Sequence, residues 1–129
     1  MTDGYLLDTS WIIDALNGRP DCRARLSYLL SEGHTLACCT INLIEVYAVM
    51  RPKEREATDA FLHSLEYYPI TWPVTLRAAA LRSAWMRRGQ TLSLAAVTIA
   101  AVAIEHGLIL LTYNPRHFPM PELRLHIAH

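Results

Sequence analysis

The stretch Tyr5-Leu6-Leu7-Asp8-Thr9-Ser10-Trp11-Ile12-Ile13 decides how the rest of the chain reads. A short apolar run that ends in an acid suits a buried strand stopping at Asp8. The hydroxyls that follow, Thr9 or Ser10, suit the N-cap of a helix carrying Trp11, Ile12, Ala15 and Leu16. Asp8 therefore falls at the carboxyl end of a strand, where the chain turns over into a helix, and in open α/β sheets that edge is where ligands bind. A lone carboxylate in such a place needs a cation, an arginine or a capping role. What else converges on Asp8 then decides its chemistry.

Downstream, apolar runs alternate with one or two helices. The first unit is strand 4–8 and helix 10–17, closed by Asn17-Gly18. Pro20 opens a second helix to about Glu32, with Leu26, Leu29 and Leu30 on its apolar side and Gly33 at its end. Residues 35–39 read as a second strand, and Thr40 as the N-cap of a helix over 41–50 that Pro52 stops. A charged helix over about 53–67 follows, then a weak strand at 68–71 and a helix over about 74–88 that ends at Gly89. An alanine-rich helix over 94–106 ends at Gly107. Residues 108–111 are wholly apolar, as in a central strand buried on both faces, and 123–127 give a last short strand. This alternation predicts a three-layer α/β/α fold with a mainly parallel sheet of about five short strands, in a single domain over 1–129. It also brings Asp8, Thr40 and Thr112-Tyr113-Asn114 to one edge of the sheet.

The bulk numbers agree. A chain of 129 residues that is 52% hydrophobic and 19% charged has room for one real core and is not intrinsically disordered. Its apolar runs fall short of the ~20 residues of a membrane span, and the N-terminus lacks the basic start and apolar stretch of a signal peptide, so a soluble cytoplasmic protein is expected. A net charge of zero argues against a broad basic surface for duplex DNA. Eleven of the twelve basic residues are nevertheless arginine. Arg82, Arg87 and Arg88 cluster near one helix end, where they suit both the helix C-terminus before Gly89 and the steering of a phosphate backbone. Cys22, Cys38 and Cys39, odd in number and with two adjacent, read as small buried hydrophobes and not as a disulfide framework.

Glu45 is the second anchor. On the helix over 41–50, Ile41, Ile44, Glu45, Ala48 and Val49 share one face at helical spacing. An acid inside an apolar stripe needs a partner. An arginine would serve, as would snorkelling out to water at the edge of the stripe, and so would Asp8 across a cation, because two carboxylates repel without one. Oxygen ligands of this kind favour Mg²⁺ or Mn²⁺. Asn114 either starts the turn before Pro115 or offers an amide oxygen to a metal or a water, and Thr112 can hydrogen-bond a ligated carboxylate. The six histidines have no metal-ligand spacing, and the chain has no glycine-rich phosphate loop, zinc pattern or nucleophile elbow.

Five pieces then come in order: Leu6-Leu7-Asp8-Thr9-Ser10; Thr40-Ile41-Asn42-Leu43-Ile44-Glu45-Val46; Leu92-Ser93-Leu94-Ala95 running into Ile99-Ala100-Ala101; Glu105-His106-Gly107-Leu108; and Thr112-Tyr113-Asn114-Pro115-Arg116-His117-Phe118-Pro119. Together they resemble a PIN-domain ribonuclease, and more closely the toxin half of a VapBC toxin–antitoxin pair. The resemblance implies a Mg²⁺- or Mn²⁺-dependent endoribonuclease that cleaves RNA at a cluster of acids. It implies Asp8 and Glu45 as two of those acids, Asn114 at a fourth position, and Thr9, Ser10 and Thr112 as hydroxyls beside the site. It also implies a homodimer and a VapB-type antitoxin, assembled into a toxin–antitoxin hetero-oligomer.

The third acid of that pattern is missing. The family reads Leu-Ser-Leu-Ala-Asp where this chain has Ala96. If Ser93 is an N-cap, residue 96 is the N3 position, where an acid would also complete a capping box and suit the helix dipole. With two carboxylates in place of three, the site should bind metal more weakly, and the chain is expected to be an inactivated variant, engineered or naturally degenerate. The alternatives are a catalytically dead PIN scaffold that binds a partner or RNA, and a metal-dependent phosphatase. A haloacid-dehalogenase-type phosphatase would want an acid two residues after Asp8, where Ser10 stands.

Overall fold

The inner strands send alternate side chains into two separate cores, the behaviour of a sheet covered on both faces. The computed structural model describes residues 2–127. Its five strands are β1 Gly4–Leu7, β2 Thr35–Cys39, β3 Glu66–Tyr68, β4 Ile109–Thr112 and β5 Leu125–Ile127. All pairings are parallel, in the order β3-β2-β1-β4-β5. Leu6, Ala37, Cys39 and Leu110 face one core, while Tyr5, Leu7, Leu36, Cys38 and Leu111 face the other.

Six α-helices cover the two faces: α1 Thr9–Leu16, α2 Pro20–Ser31, α3 Thr40–Val49, α4 Arg55–His63, α5 Trp72–Arg87 and α6 Leu94–His106. Trp11, Ile12, Cys22, Leu26, Val46 and Leu62 bring α1 to α4 onto one face. Val74, Ala78 and Leu81 of α5, with nearly the whole run from Ala96 to Ala103 of α6, fill the other. The expected three-layer α/β/α architecture with a parallel sheet is therefore the architecture found. No helix among the described residues is long and apolar enough to cross a membrane.

Two features aim the functional edge. Parallel strands all end on the same side, so Asp8, the β2–α3 junction and Thr112 share it. Gly107 closes α6 in the left-handed conformation at φ 64, which a residue with a Cβ adopts at a penalty. The chain reverses there directly into β4, with the Leu108 N–H donating to the Ala103 carbonyl. The other end of α6, Ser93 to Ala96, is thereby returned to the edge where β4 stops.

The sequence reading needs four local corrections. The N-cap of α1 is Asp8 itself, whose Oδ1 accepts the Thr9 N–H at 2.9 Å, in place of Thr9 or Ser10. The N-cap of α3 is Cys39, and Thr40 uses its hydroxyl on Tyr67 and on the Ile70 N–H. The charged helix is shorter than expected, a 3-10 turn at Pro52–Glu54 and then α4, so β3 falls at Glu66–Tyr68 and Thr71 caps α5 instead. Finally, Leu30 lies outside the apolar side of α2 at 55% exposure; Cys22, Leu26 and Leu29 are its buried residues.

Candidate active site

Asp8 leaves β1 half-buried and anchored twice. Oδ1 accepts the N–H of Thr9, and Oδ2 accepts the Thr112 hydroxyl at 2.7 Å. Thr112 is completely buried at the end of β4, beside β1 in the sheet. Its Oγ1 in turn accepts the Asn114 backbone N–H at 3.0 Å. A carboxylate held by two donors is fixed in direction.

Glu45 approaches from α3. Its Oε1 accepts the Thr9 hydroxyl at 2.6 Å, so Thr9, the residue after Asp8, joins the two acids: its backbone holds one and its side chain the other. Thr9 Oγ1 also accepts from Asn42 Nδ2 at 3.1 Å, and Asn42 Oδ1 accepts the Cys39 N–H at 2.8 Å. Asn42 is fully buried.

The stripe that singled out Glu45 is not a buried face. Ile44 and Val49 are 60% and 66% exposed, Glu45 itself is exposed, and α3 buries Asn42 and Val46 instead. Glu45 therefore needs no buried counter-ion. It is an exposed acid pinned by one hydroxyl, with the rest of its carboxylate open to solvent.

The other expected site residues divide. Thr9 and Thr112 join the hydrogen-bonded group. Asn114 joins it through its backbone N–H, while its exposed side chain makes no hydrogen bond among the described residues. Ser10 is exposed, with no side-chain hydrogen bond among the described residues. Ala96 is the third residue of α6 and 7% exposed, its N–H capped by Ser93 Oγ at 3.0 Å. The cap is built, and position 96 carries only a methyl group. Among the described residues no three of His, Cys, Asp and Glu converge to hold a metal ion.

The arginines take separate roles. Arg82 Nε donates to the Leu92 carbonyl at 3.1 Å, bracing the segment that leads into Ser93. Arg87 bonds Ser83 within its own helix, and Arg88 stacks on the Trp85 ring at 4.2 Å. Arg87 and Arg88 are exposed at the end of α5, the end from which the chain turns into α6. The three cysteines are buried and free; burial pushes the Cys38 thiol up to about 11, which suits an unreactive side chain.

Residues 5–121 match the family described as the PIN domain. The chain belongs to the PIN-domain family. This PIN domain is 30% identical over 120 residues to "Ribonuclease VapC19" of Mycobacterium tuberculosis, covering 92% of this chain and 96% of the relative. It is also 30% identical over 119 residues to "Ribonuclease VapC2" of Rickettsia felis, covering 88% and 89%. Among solved structures, VapBC2 from Rickettsia felis bound to a DNA fragment from its promoter superposes with a TM-score of 0.84 at 26% identity, covering 98% of this chain and 99% of that one. The fold alone is shared with DNA-bound VapBC from Salmonella typhimurium, at a TM-score of 0.82 and 22% identity. Asn42 is the member of this PIN domain's polar group that sequence reasoning passed over. Its signal was present: an asparagine three residues past a strand end, at the N3 position of a capping box.

Proposed function

We propose that this PIN domain is the toxin of a type II toxin–antitoxin pair, built as a Mg²⁺- or Mn²⁺-dependent endoribonuclease and reduced in activity by Ala96. The observation that carries this reading is the pair of carboxylates, Asp8 and Glu45, joined through Thr9 at the carboxyl edge of the sheet. The relatives named as ribonucleases support the reaction class.

The donor set suits one hard divalent cation. Mg²⁺ is commonly held by one or two carboxylates with several retained waters, and Asp8, Glu45 and the Asn114 amide oxygen supply that number. The ion, when bound, supplies an activated water and offsets charge on the scissile phosphate. The chain's own residues do the rest. The Thr9 N–H and Thr112 hydroxyl hold the direction of Asp8, and the Thr9 hydroxyl orients Glu45. Arg87 and Arg88 offer exposed cations to the RNA backbone from the end of α5. Arg82, tied to Leu92, supports the segment before α6 in place of RNA. Position 96, on the first turn of α6, is where a third carboxylate would enter.

The partner of this toxin is a VapB-type antitoxin. An apolar groove of about 420 Å³ between α1, α2 and α4, lined by Leu16, Leu26, Leu30, Phe61 and Leu65, has the form that an amphipathic segment fills. The exposed Trp72, Leu76, Met86 and Leu94 on α5 and α6 suit a homodimer contact. Both partners and RNA would meet it in the cytoplasm. Measuring Mg²⁺-dependent cleavage of a structured RNA pool before and after Ala96→Asp tests the reading. Cleavage should rise, and an unchanged rate in the presence of bound RNA would favour instead a catalytically dead PIN scaffold, the reading that the lack of a third acid supports.

A further inference from the structure

We infer that Asn42 is a positioning residue that acts through Thr9 to orient Glu45 toward a divalent cation; the inference rests on the metal-site reading above. The argument is one of donors and acceptors. Asn42 has an amide oxygen that accepts and an amide nitrogen that only donates. The Cys39 N–H at 2.8 Å needs an acceptor, which fixes the amide with Oδ1 toward Cys39 and Nδ2 toward Thr9. The reverse orientation would set two donors against each other inside a fully buried environment.

With Nδ2 donating to Thr9 Oγ1 at 3.1 Å, the hydroxyl has a fixed acceptor role toward Asn42. Its single proton is then directed to Glu45 Oε1 at 2.6 Å. The chain Cys39 N–H to Asn42 to Thr9 to Glu45 thus runs in one direction and ends on the Glu45 carboxylate. Nothing in the chain is free to reverse, because it begins at a backbone N–H that cannot accept. The other acid is served in the same way: the Asn114 N–H donates to Thr112 Oγ1, which donates to Asp8 Oδ2. Each acid is therefore addressed by a threonine whose proton is aimed by a group upstream. Asn42 does for the exposed acid what the backbone does for the half-buried one, and it ties the aim of Glu45 to the start of the helix that carries it.

Mn²⁺ binding, read by electron paramagnetic resonance on the chain as it stands and on Ala96→Asp, tests this without relying on turnover. Asn42→Ala should weaken binding roughly 10- to 100-fold, the usual effect of removing a group that orients a metal ligand. Thr9→Val should weaken it similarly, the double variant no further than either single, and Thr9→Ser should restore it. If Asn42 merely supports α3, its loss will add in full to that of Thr9→Val, and the inference is overturned. Unweakened binding in folded Asn42→Ala also overturns it while leaving the metal site intact. No Mn²⁺ binding in either background sinks the metal reading and this inference together. Should Asn42→Ala fail to fold, the ¹⁵N-labelled unaltered chain gives a second readout. Mg²⁺ should move the Asn42 side-chain amide resonance, and Thr9→Val should abolish that movement; a resonance that stays still overturns the inference.

Discussion

The two sides of the sheet edge are built to different standards. On the Asp8–Glu45 side, two carboxylates, two threonine hydroxyls, a buried amide and three backbone N–H groups form a continuous hydrogen-bonded group. On the α6 side, Ser93 caps the helix and Arg82 braces the segment before it, but no functional group projects from position 96. The α6 side has a built helix start that presents only a methyl group at position 96. The difference teaches that building a helix start and supplying polar groups at the sheet edge are separate tasks, performed here by separate residues.

The comparison can be broken first at position 96. Ala96→Asp should raise Mg²⁺-dependent RNA cleavage about a hundredfold or more, the scale of one preorganised electrostatic group in a reaction. Single-turnover rates on a fixed RNA measure it, and no gain would mean that the α6 side lacks more than an acid. Next comes the Asp8 side. Thr112→Val deprives Asp8 Oδ2 of its donor and the Asn114 N–H of its acceptor, both next to a fully buried position. It should destabilise the fold by about 1–3 kcal/mol in urea unfolding.

Ser93→Ala removes only the α6 cap and should destabilise by about 1 kcal/mol, with Mn²⁺ affinity of the present chain unchanged because position 96 contributes no ligand. A large loss of Mn²⁺ affinity there would mean that the two sides are coupled. The smallest effect is thermal. Ligand binding to the folded state alone stabilises by mass action, so at a few millimolar Mg²⁺ Ala96→Asp should gain a few degrees in Tm, and the present chain less. Differential scanning calorimetry with and without EDTA reads both.

Much of this was legible in the sequence. The strands were visible because their residues are apolar and short, and β4 because it is apolar throughout. Asp8, Glu45 and Thr112 were visible because each polar group stands just beyond or against an apolar pattern. The misreadings share a physical cause. Hydroxyls suit the cap positions at α1 and α3, yet Asp8 caps α1 with its own carboxylate, and at α3 the N-cap is Cys39, whose N–H the Asn42 amide oxygen accepts. On α3 the residues are mostly apolar, so helical periodicity allowed more than one inward face. The packing of Val46 beside α1 chose the face that leaves Ile44 and Val49 outside. β3 moved because Glu66 carries no strand signal, and an edge strand takes its position from pairing with β2.

The bond between Thr112 and Asp8 spans 104 positions in the chain. β1 is the central strand, yet one of its two neighbours, β4, is made only after α1 to α6. While the chain is being synthesised, β1 can pair with β2 early but keeps one edge bare until β4 arrives. An open strand edge is a template for unwanted pairing, so the long interval is a window for misassembly of nascent chains. The same interval delays the Asp8 edge: a chain interrupted before residue 112 leaves the Asp8 carboxylate its helix cap alone. Synthesis must pass Thr112 before the Asp8 carboxylate has both of its hydrogen bonds.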